Sequence, residues 1–249
     1  MEIKYLTLGN IPMKIYNAKD AQGAVIAVHG FAGSKESTAI EMLAKRVCEK
    51  GSSVISFDLP AHGERTEPFS EMSVQRCIDE IINVEEYAKS TIGGKLYAFA
   101  TSFGGMCLLN RLEHKPDPYD RIVLRVPAVN MARTLLAISA AFDSSFSIEK
   151  AEKYGFRFNI GKEYEIPFRF YDELLKYGCL RSSDKWSGNR LLTIWSGRDE
   201  LVCPADTERF LELNPTIRSI CIENSDHRMT DPENLAYALD SAADHFCDI

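Results

Sequence analysis

Leu96-Tyr97-Ala98-Phe99-Ala100-Thr101-Ser102-Phe103-Gly104-Gly105 is the stretch on which the fold turns. Its first five residues are an apolar run of strand length, as expected of a parallel strand buried on both faces. Thr101 and then a serine follow, and an apolar helix pattern, Phe103–His114, opens directly behind Ser102. The small residues around the serine have a steric reason. A serine held in a tight strand-to-helix turn brings the positions before and after it together, and side chains larger than a methyl collide there. Ala100, Gly104 and Gly105 fill those positions.

The same alternation extends along most of the chain. Two leading strands, Met1–Leu8 and Ile11–Asn17, are joined at Gly9-Asn10, a hairpin turn signal. Further strands are expected at Ala24–Val28, Ser53–Phe57, Leu96–Ala100, Ile122–Val126, Leu191–Trp195 and Ile217–Ile222. Helical patterns fall between or after them at Ser37–Lys50, Ser73–Ser90, Phe103–His114, Asp206–Leu213 and Glu233–Phe246. Strands alternating with helices make an α/β fold: an eight-stranded, mostly parallel sheet with helices on both faces and an antiparallel leading edge. One segment breaks the pattern. From Asn130 to Asn189 no run behaves like a central strand, and a small hairpin, Phe156–Ile160 with Glu163–Phe168, is expected to turn at Gly161-Lys162. We therefore divide the chain into a core, 1–129 with 190–249, and a short cap, 130–189, inserted after the sixth strand and not an independent domain.

Composition excludes several classes. Of the 249 residues 45% are hydrophobic and 26% charged, which describes an ordinary globular chain of one large domain. A net charge of −7 argues against nucleic acid as a partner. The start has no basic region followed by an apolar one, and the densest apolar stretch, Leu135 to Phe142, is far too short to span a bilayer, so no membrane partner is expected. Seven scattered cysteines, with no C-x-x-C pair, suit reduced thiols in a cytoplasmic protein. Metal-ligand spacing of His and Cys is absent, as are phosphate-binding and dinucleotide-binding glycine patterns, so neither a metal nor an organic cofactor is expected.

Ala100-Thr101-Ser102-Phe103-Gly104 resembles the nucleophile elbow of the α/β-hydrolase superfamily, with alanine in place of its leading glycine. The alternative reading of Ser102 is a plain helix N-cap. The superfamily orders its triad as serine, acid, histidine. Gly197-Arg198-Asp199-Glu200-Leu201-Val202-Cys203-Pro204, after the seventh strand, resembles its acid loop, which implies Asp199 as the acid. Glu223-Asn224-Ser225-Asp226-His227, after the last strand, implies His227 as the base. The chemistry requires both, because a serine hydroxyl needs a base to accept its proton and the base needs a carboxylate to fix its tautomer. His29-Gly30-Phe31-Ala32-Gly33 resembles the superfamily's oxyanion turn, so the backbone N–H groups of Phe31 and Phe103 are the implied donors. His29, Asp58 and His62 read as scaffolding.

The resemblance is nearest to small cinnamoyl-esterase-like and acyl-aminopeptidase-like enzymes. It implies a carboxylesterase-like serine hydrolase acting on small esters through an acyl-enzyme. A thioesterase or small peptidase of the same fold is the alternative, and a ligand-binding or scaffold protein with weak turnover is the alternative of another class. Residues 142–186 hold 11 of the chain's 25 aromatics, dense enough for either a satellite core or an aromatic-walled pocket. Tyr164, Phe168 and Tyr171 are the candidate wall residues.

Overall fold

Residues 1–114, 116–159, 163–186 and 190–247 are described by a computed structural model of the chain. In chain order the strands are β1 (Glu2–Leu8), β2 (Ile11–Asn17), β3 (Gly23–Val28), β4 (Ser53–Phe57), β5 (Lys95–Thr101), β6 (Arg121–Arg125), β7 (Phe156–Asn159), β8 (Glu163–Ile166), β9 (Leu191–Ser196) and β10 (Arg218–Ile222). Eight of them form one sheet in the order β1-β2-β4-β3-β5-β6-β9-β10. β1 and β2 pair antiparallel around Gly9, at φ 60°, and β2 is also antiparallel to β4. Every other pairing in this sheet is parallel. The architecture is therefore the one expected from the sequence.

Helices cover both faces because the buried strands alternate at period two. In β3, Ala24, Ile26 and Val28 enter one core, while Val25 and Ala27 enter the other. The first core is closed by α2 (Val74–Thr91), α3 (Phe103–His114) and α7 (Pro204–Leu213), the second by α1 (Thr38–Glu49) and α8 (Pro232–Cys247). Fully burying each large apolar side chain contributes about 1.5–3 kcal/mol, and the doubly buried central strands share that gain with the helix faces packed on them. α8 starts as its sequence requires: Asp231 accepts the N–H of Glu233 at 2.8 Å and of Asn234 at 3.4 Å, with Pro232 as the first helical residue.

Between β6 and β9 lie α4 (Met131–Phe142), α5 (Ile148–Tyr154), the β7–β8 hairpin and α6 (Phe168–Lys176). The hairpin pairs Phe158 with Tyr164, while its expected turn at Gly161-Lys162 lies outside the described residues, as does Ile160. Phe168 does not end the second strand as expected but begins α6. Pro167 explains this, since it has no N–H for a sheet ladder and sits at the helix N-cap. The segment is tied to the core by Trp186, fully buried, whose Nε1–H donates to Leu109 O at 2.9 Å, and by Cys179 N–H to Val129 O at 2.8 Å. Among the described residues no helix is long and apolar enough to cross a membrane, and all seven cysteines are free thiols.

Candidate active site

Ser102 stands between β5 and α3 with a φ of 52°, a conformation that non-glycine residues adopt only under constraint. The constraint comes from the neighbouring strand exit. Ser102 N–H donates to Arg125 O at 3.0 Å, and Ala128 N–H donates to Ser102 O at 3.0 Å. Val126, between those two partners, is itself at φ 43°, which for a β-branched residue marks strain. The serine's carbonyl also receives the helix N–H groups of Gly105 (2.9 Å) and Met106 (3.3 Å). Its hydroxyl is turned elsewhere, so a simple side-chain cap does not account for it.

That hydroxyl meets His227 Nε2 at 3.1 Å. The other ring nitrogen, Nδ1, lies 2.8 Å from Asp199 Oδ2 and 3.0 Å from Oδ1. All three side chains are buried or nearly so: Ser102 is 7% and His227 9% exposed. The acid is fixed in turn, because Asp199 Oδ1 accepts the N–H groups of Leu201 (2.9 Å) and Val202 (2.7 Å). Glu200 accepts the backbone N–H of His227 at 2.9 Å, and Ser196 Oγ–H donates to Asp226 O at 2.9 Å. The β9 and β10 exits are thus locked together, and a carboxylate, an imidazole and a hydroxyl line up in a relay. Such a relay withdraws a proton from the hydroxyl while the carboxylate holds the imidazole in the needed tautomer.

Beside Ser102, Gly30 packs so closely that a methyl added to it would lie 3.1 Å from Ser102 Cβ. The next residue, Phe31, therefore carries its N–H on a loop pressed against the serine. Phe103 is the first residue of α3, so its N–H has no intrahelical acceptor. Gly104 is needed for a different contact than the one expected. A Cβ there would sit 2.5 Å from His29 O and 2.8 Å from Val28 O, so it lets α3 approach the exit of β3, while Gly105 is the glycine near Ala100.

The scaffold readings follow from the hydrogen bonds. His29 is held at Nδ1 by Gly30 O (2.7 Å) and accepts Leu59 N–H at Nε2 (3.1 Å), and burial pushes its pKa down. Asp58, fully buried, accepts the N–H groups of Lys35 (2.7 Å) and Glu64 (3.0 Å). His62 is buried, with Nδ1 2.8 Å from Pro60 O and its ring 5.4 Å from that of Phe31.

The relay opens into a cavity of about 500 Å³ lined by Ser102, His227, Phe31 and, from α4, Met131, Thr134 and Ile138. Tyr164, Phe168 and Tyr171 are not among the lining residues, which corrects the expected aromatic wall. Tyr164 is buried beneath Phe31, with ring centroids 5.7 Å apart and 5.0 Å from Phe69. Phe168 and Tyr171 pack on Phe156 at 5.9 and 5.7 Å. The aromatics of the insertion mostly satisfy one another, and its aliphatic first helix faces the serine.

Residues 19–151, more than half the chain, match the family described as serine aminopeptidase, S33. The chain belongs to that family of α/β hydrolases. No curated protein sequence matches it. Solved structures do, at identities that speak for the fold alone. Mouse alpha/beta hydrolase domain-containing protein 10 is similar with TM-score 0.74, 16% identity and 98% of each chain covered. Est1E from Butyrivibrio proteoclasticus, solved with ferulic acid bound, has TM-score 0.72 and 16% identity over 98% of this chain and 100% of that one. The Pyrococcus furiosus esterase Pf2001 has TM-score 0.69 and 16% identity over 99% and 92%.

Among the cavity residues that escaped the sequence reading of this hydrolase, two are charged. Arg125, at the end of β6, and Arg228, beside His227, both line the cavity. The first had a signal: a charge inside the apolar run Ile122-Val123-Leu124-Arg125-Val126 has no place in a doubly buried strand without a task.

Proposed function

We propose that the chain is a serine esterase that cleaves small carboxylic esters, with aryl or short acyl groups, through an acyl-enzyme. The observation that carries this reading is the relay Asp199–His227–Ser102, 2.8 and 3.1 Å long, at the floor of a cavity. Ser102 Oγ attacks the ester carbonyl as His227 Nε2 takes its proton. The N–H groups of Phe31 and Phe103 receive the negative oxygen, and His227 returns the proton to the departing alcohol. A water molecule then repeats the sequence against the acyl-enzyme. Residues 130–189 act as a cap whose helix α4 bounds the substrate, and the free thiols fit a reducing, cytoplasmic setting.

The family description raises peptide hydrolysis as a second reading. An aminopeptidase must hold the ammonium group of a peptide, for which a carboxylate in the cavity wall is the natural partner. The described residues that line the cavity include no Asp or Glu, which favours esters over peptides with a free amino end. Thioesters use the same machinery and share the ester prediction.

The test is fluorophosphonate labelling together with a panel of aryl, alkyl and feruloyl esters beside aminoacyl amides. Ser102→Ala should lose labelling and about 10⁴-fold or more of ester turnover, because triad members act as a unit. Labelling or turnover that survives in the folded alanine variant overturns the assignment. Faster cleavage of the amides than of the esters would turn the reading to a peptidase.

A further inference from the structure

The cavity beside Ser102 has a one-sided charge. Among its described lining residues are Arg125 and Arg228 and no carboxylate. Arg125 is only 5% exposed. Its Nε–H points at Met229 Sδ (3.3 Å) and its Nη2–H donates to Arg228 O (2.6 Å), while Nη1 has no acceptor among the described residues. No carboxylate of the described residues lies within 4.0 Å of either guanidinium, although the charges of Asp199 and Asp226 are felt by Arg125 at longer range. Burial pushes Arg125 down to about 10, so it stays charged at neutral pH. Glu200 does not neutralise the rim: it holds the His227 backbone N–H and lines the adjoining cleft with Arg228 without pairing to it.

A second feature points the same way. Ser37, Thr38 and Ala39, at the start of the 12-residue helix α1, line the same cavity. Ser37 is the N-cap but makes no side-chain capping bond, so the first-turn N–H groups are left to another acceptor. A helix N-terminus carries partial positive charge and binds anions. A buried guanidinium with no carboxylate in contact is costly, and a ligand anion would offset that cost.

We propose that the substrate cleaved at Ser102 carries an anionic oxyacid group, held by Arg125 and Arg228 with the N-terminus of α1. The inference rests on Ser102 as nucleophile and adds a substrate class to it. A carboxylate or a phosphonate supplies the same chemistry, and the test separates them.

Matched esters read the charge on each arm. On the alcohol arm, meta-carboxyphenyl and meta-phosphonophenyl butyrate are compared with meta-carbamoylphenyl butyrate. On the acyl arm, monophenyl adipate is compared with its terminal amide. Wild-type protein should prefer a charged member on at least one arm by roughly 10- to 100-fold in kcat/KM, the scale of a charge-assisted hydrogen bond. The preference should shrink in Arg228→Ser, an exposed position, and vanish in Arg125→Met. A merely structural Arg125 predicts lower stability and an unchanged charged-to-neutral ratio. Neutral members cleaved as well as charged ones on both arms, with Ser102 still labelled by fluorophosphonate, would overturn the proposal and leave the esterase reading standing. If no ester is cleaved and Ser102 resists the label, the esterase reading fails by itself. Calorimetry then decides the site without turnover: benzoate should bind more tightly than benzamide and lose that advantage in Arg228→Ser, and equal binding overturns the proposal.

Discussion

Gly30→Ala should slow catalysis without unfolding the protein. The new methyl would sit 3.1 Å from Ser102 Cβ, 3.4 Å from Thr101 O and 3.8 Å from Ser102 Oγ. Only the first is tighter than a comfortable contact, and by a few tenths of an ångström. Ser102 is poorly placed to yield, because its N–H is held by Arg125 O and its carbonyl by Ala128 and Gly105. The side that moves is the Gly30–Phe31 peptide, the unit carrying a proposed oxyanion donor. Removing such a donor outright costs about 10²–10³ in kcat, so a partial displacement should cost roughly 10- to 100-fold. Mild overpacking costs about 1 kcal/mol of stability, and the entropy an alanine removes from the unfolded chain offsets roughly half of that or more.

Gly104→Ala is the internal contrast. Its methyl meets His29 O at 2.5 Å and Val28 O at 2.8 Å, backbone atoms of a central strand exit that have nowhere to go. That variant should lose about 3 kcal/mol or more and fail to accumulate as folded protein. The assay is kcat on phenyl butyrate and the rate of fluorophosphonate labelling, with the urea midpoint measured in parallel. Unchanged kcat in a folded Gly30→Ala protein would refute the placement of the oxyanion loop. Loss of activity accompanied by unfolding would refute the assignment of the strain to the loop.

Two further outcomes concern stability. Burial pushes the Cys179 thiol up from 9.0 to about 12, so between those values the unfolded chain has released a proton that the folded chain keeps, and stability should fall as pH rises. The loss is at most about 1.4 kcal/mol per pH unit for this thiol, seen as a declining urea midpoint from pH 8.5 to 10.5 that is shallower in Cys179→Ala. Trp186→Ala should cost about 3–5 kcal/mol in urea unfolding, since it empties a fully buried site between Phe210 and α3 and removes the Nε1–H bond to Leu109 O; a loss below about 1 kcal/mol would contradict the anchoring role.

What the sequence made legible was whatever a local pattern encodes. The continuous apolar runs Ala24–Val28 and Leu96–Ala100 announced the sheet, because a strand between two helical layers must be apolar on both sides. The relay was legible for a related reason: Ser102, Asp199 and His227 each follow a strand, and parallel strands bring their exits to one edge. The cavity wall was not. Whether Tyr164 faces the serine or lies beneath Phe31 depends on how α4 and the hairpin pack over the core, and no spacing within the insertion carries that information. Phe168 was expected to end the hairpin's second strand, but Pro167, with no N–H for a ladder, ends that strand at Ile166 and caps the helix that Phe168 begins.

The exit of β6 ties these results together. Its main chain, from Arg125 O to Ala128 N, grips Ser102 on both sides of the peptide and holds it at φ 52°. Holding it requires Val126 to adopt φ 43°, and a residue in so sparsely populated a region costs about 1–3 kcal/mol. The Arg125 side chain on the same turn reaches the His227 loop through Arg228 O and the cavity through its lining face. One short segment therefore fixes Ser102, braces the loop of His227 and puts a positive charge on the cavity wall. A change in side-chain charge at Arg125 alters the cavity directly, whereas a change in the backbone at Val126 alters the angle at which Ser102 meets His227. Activity lost through the first should depend on the substrate's charge, and activity lost through the second should not.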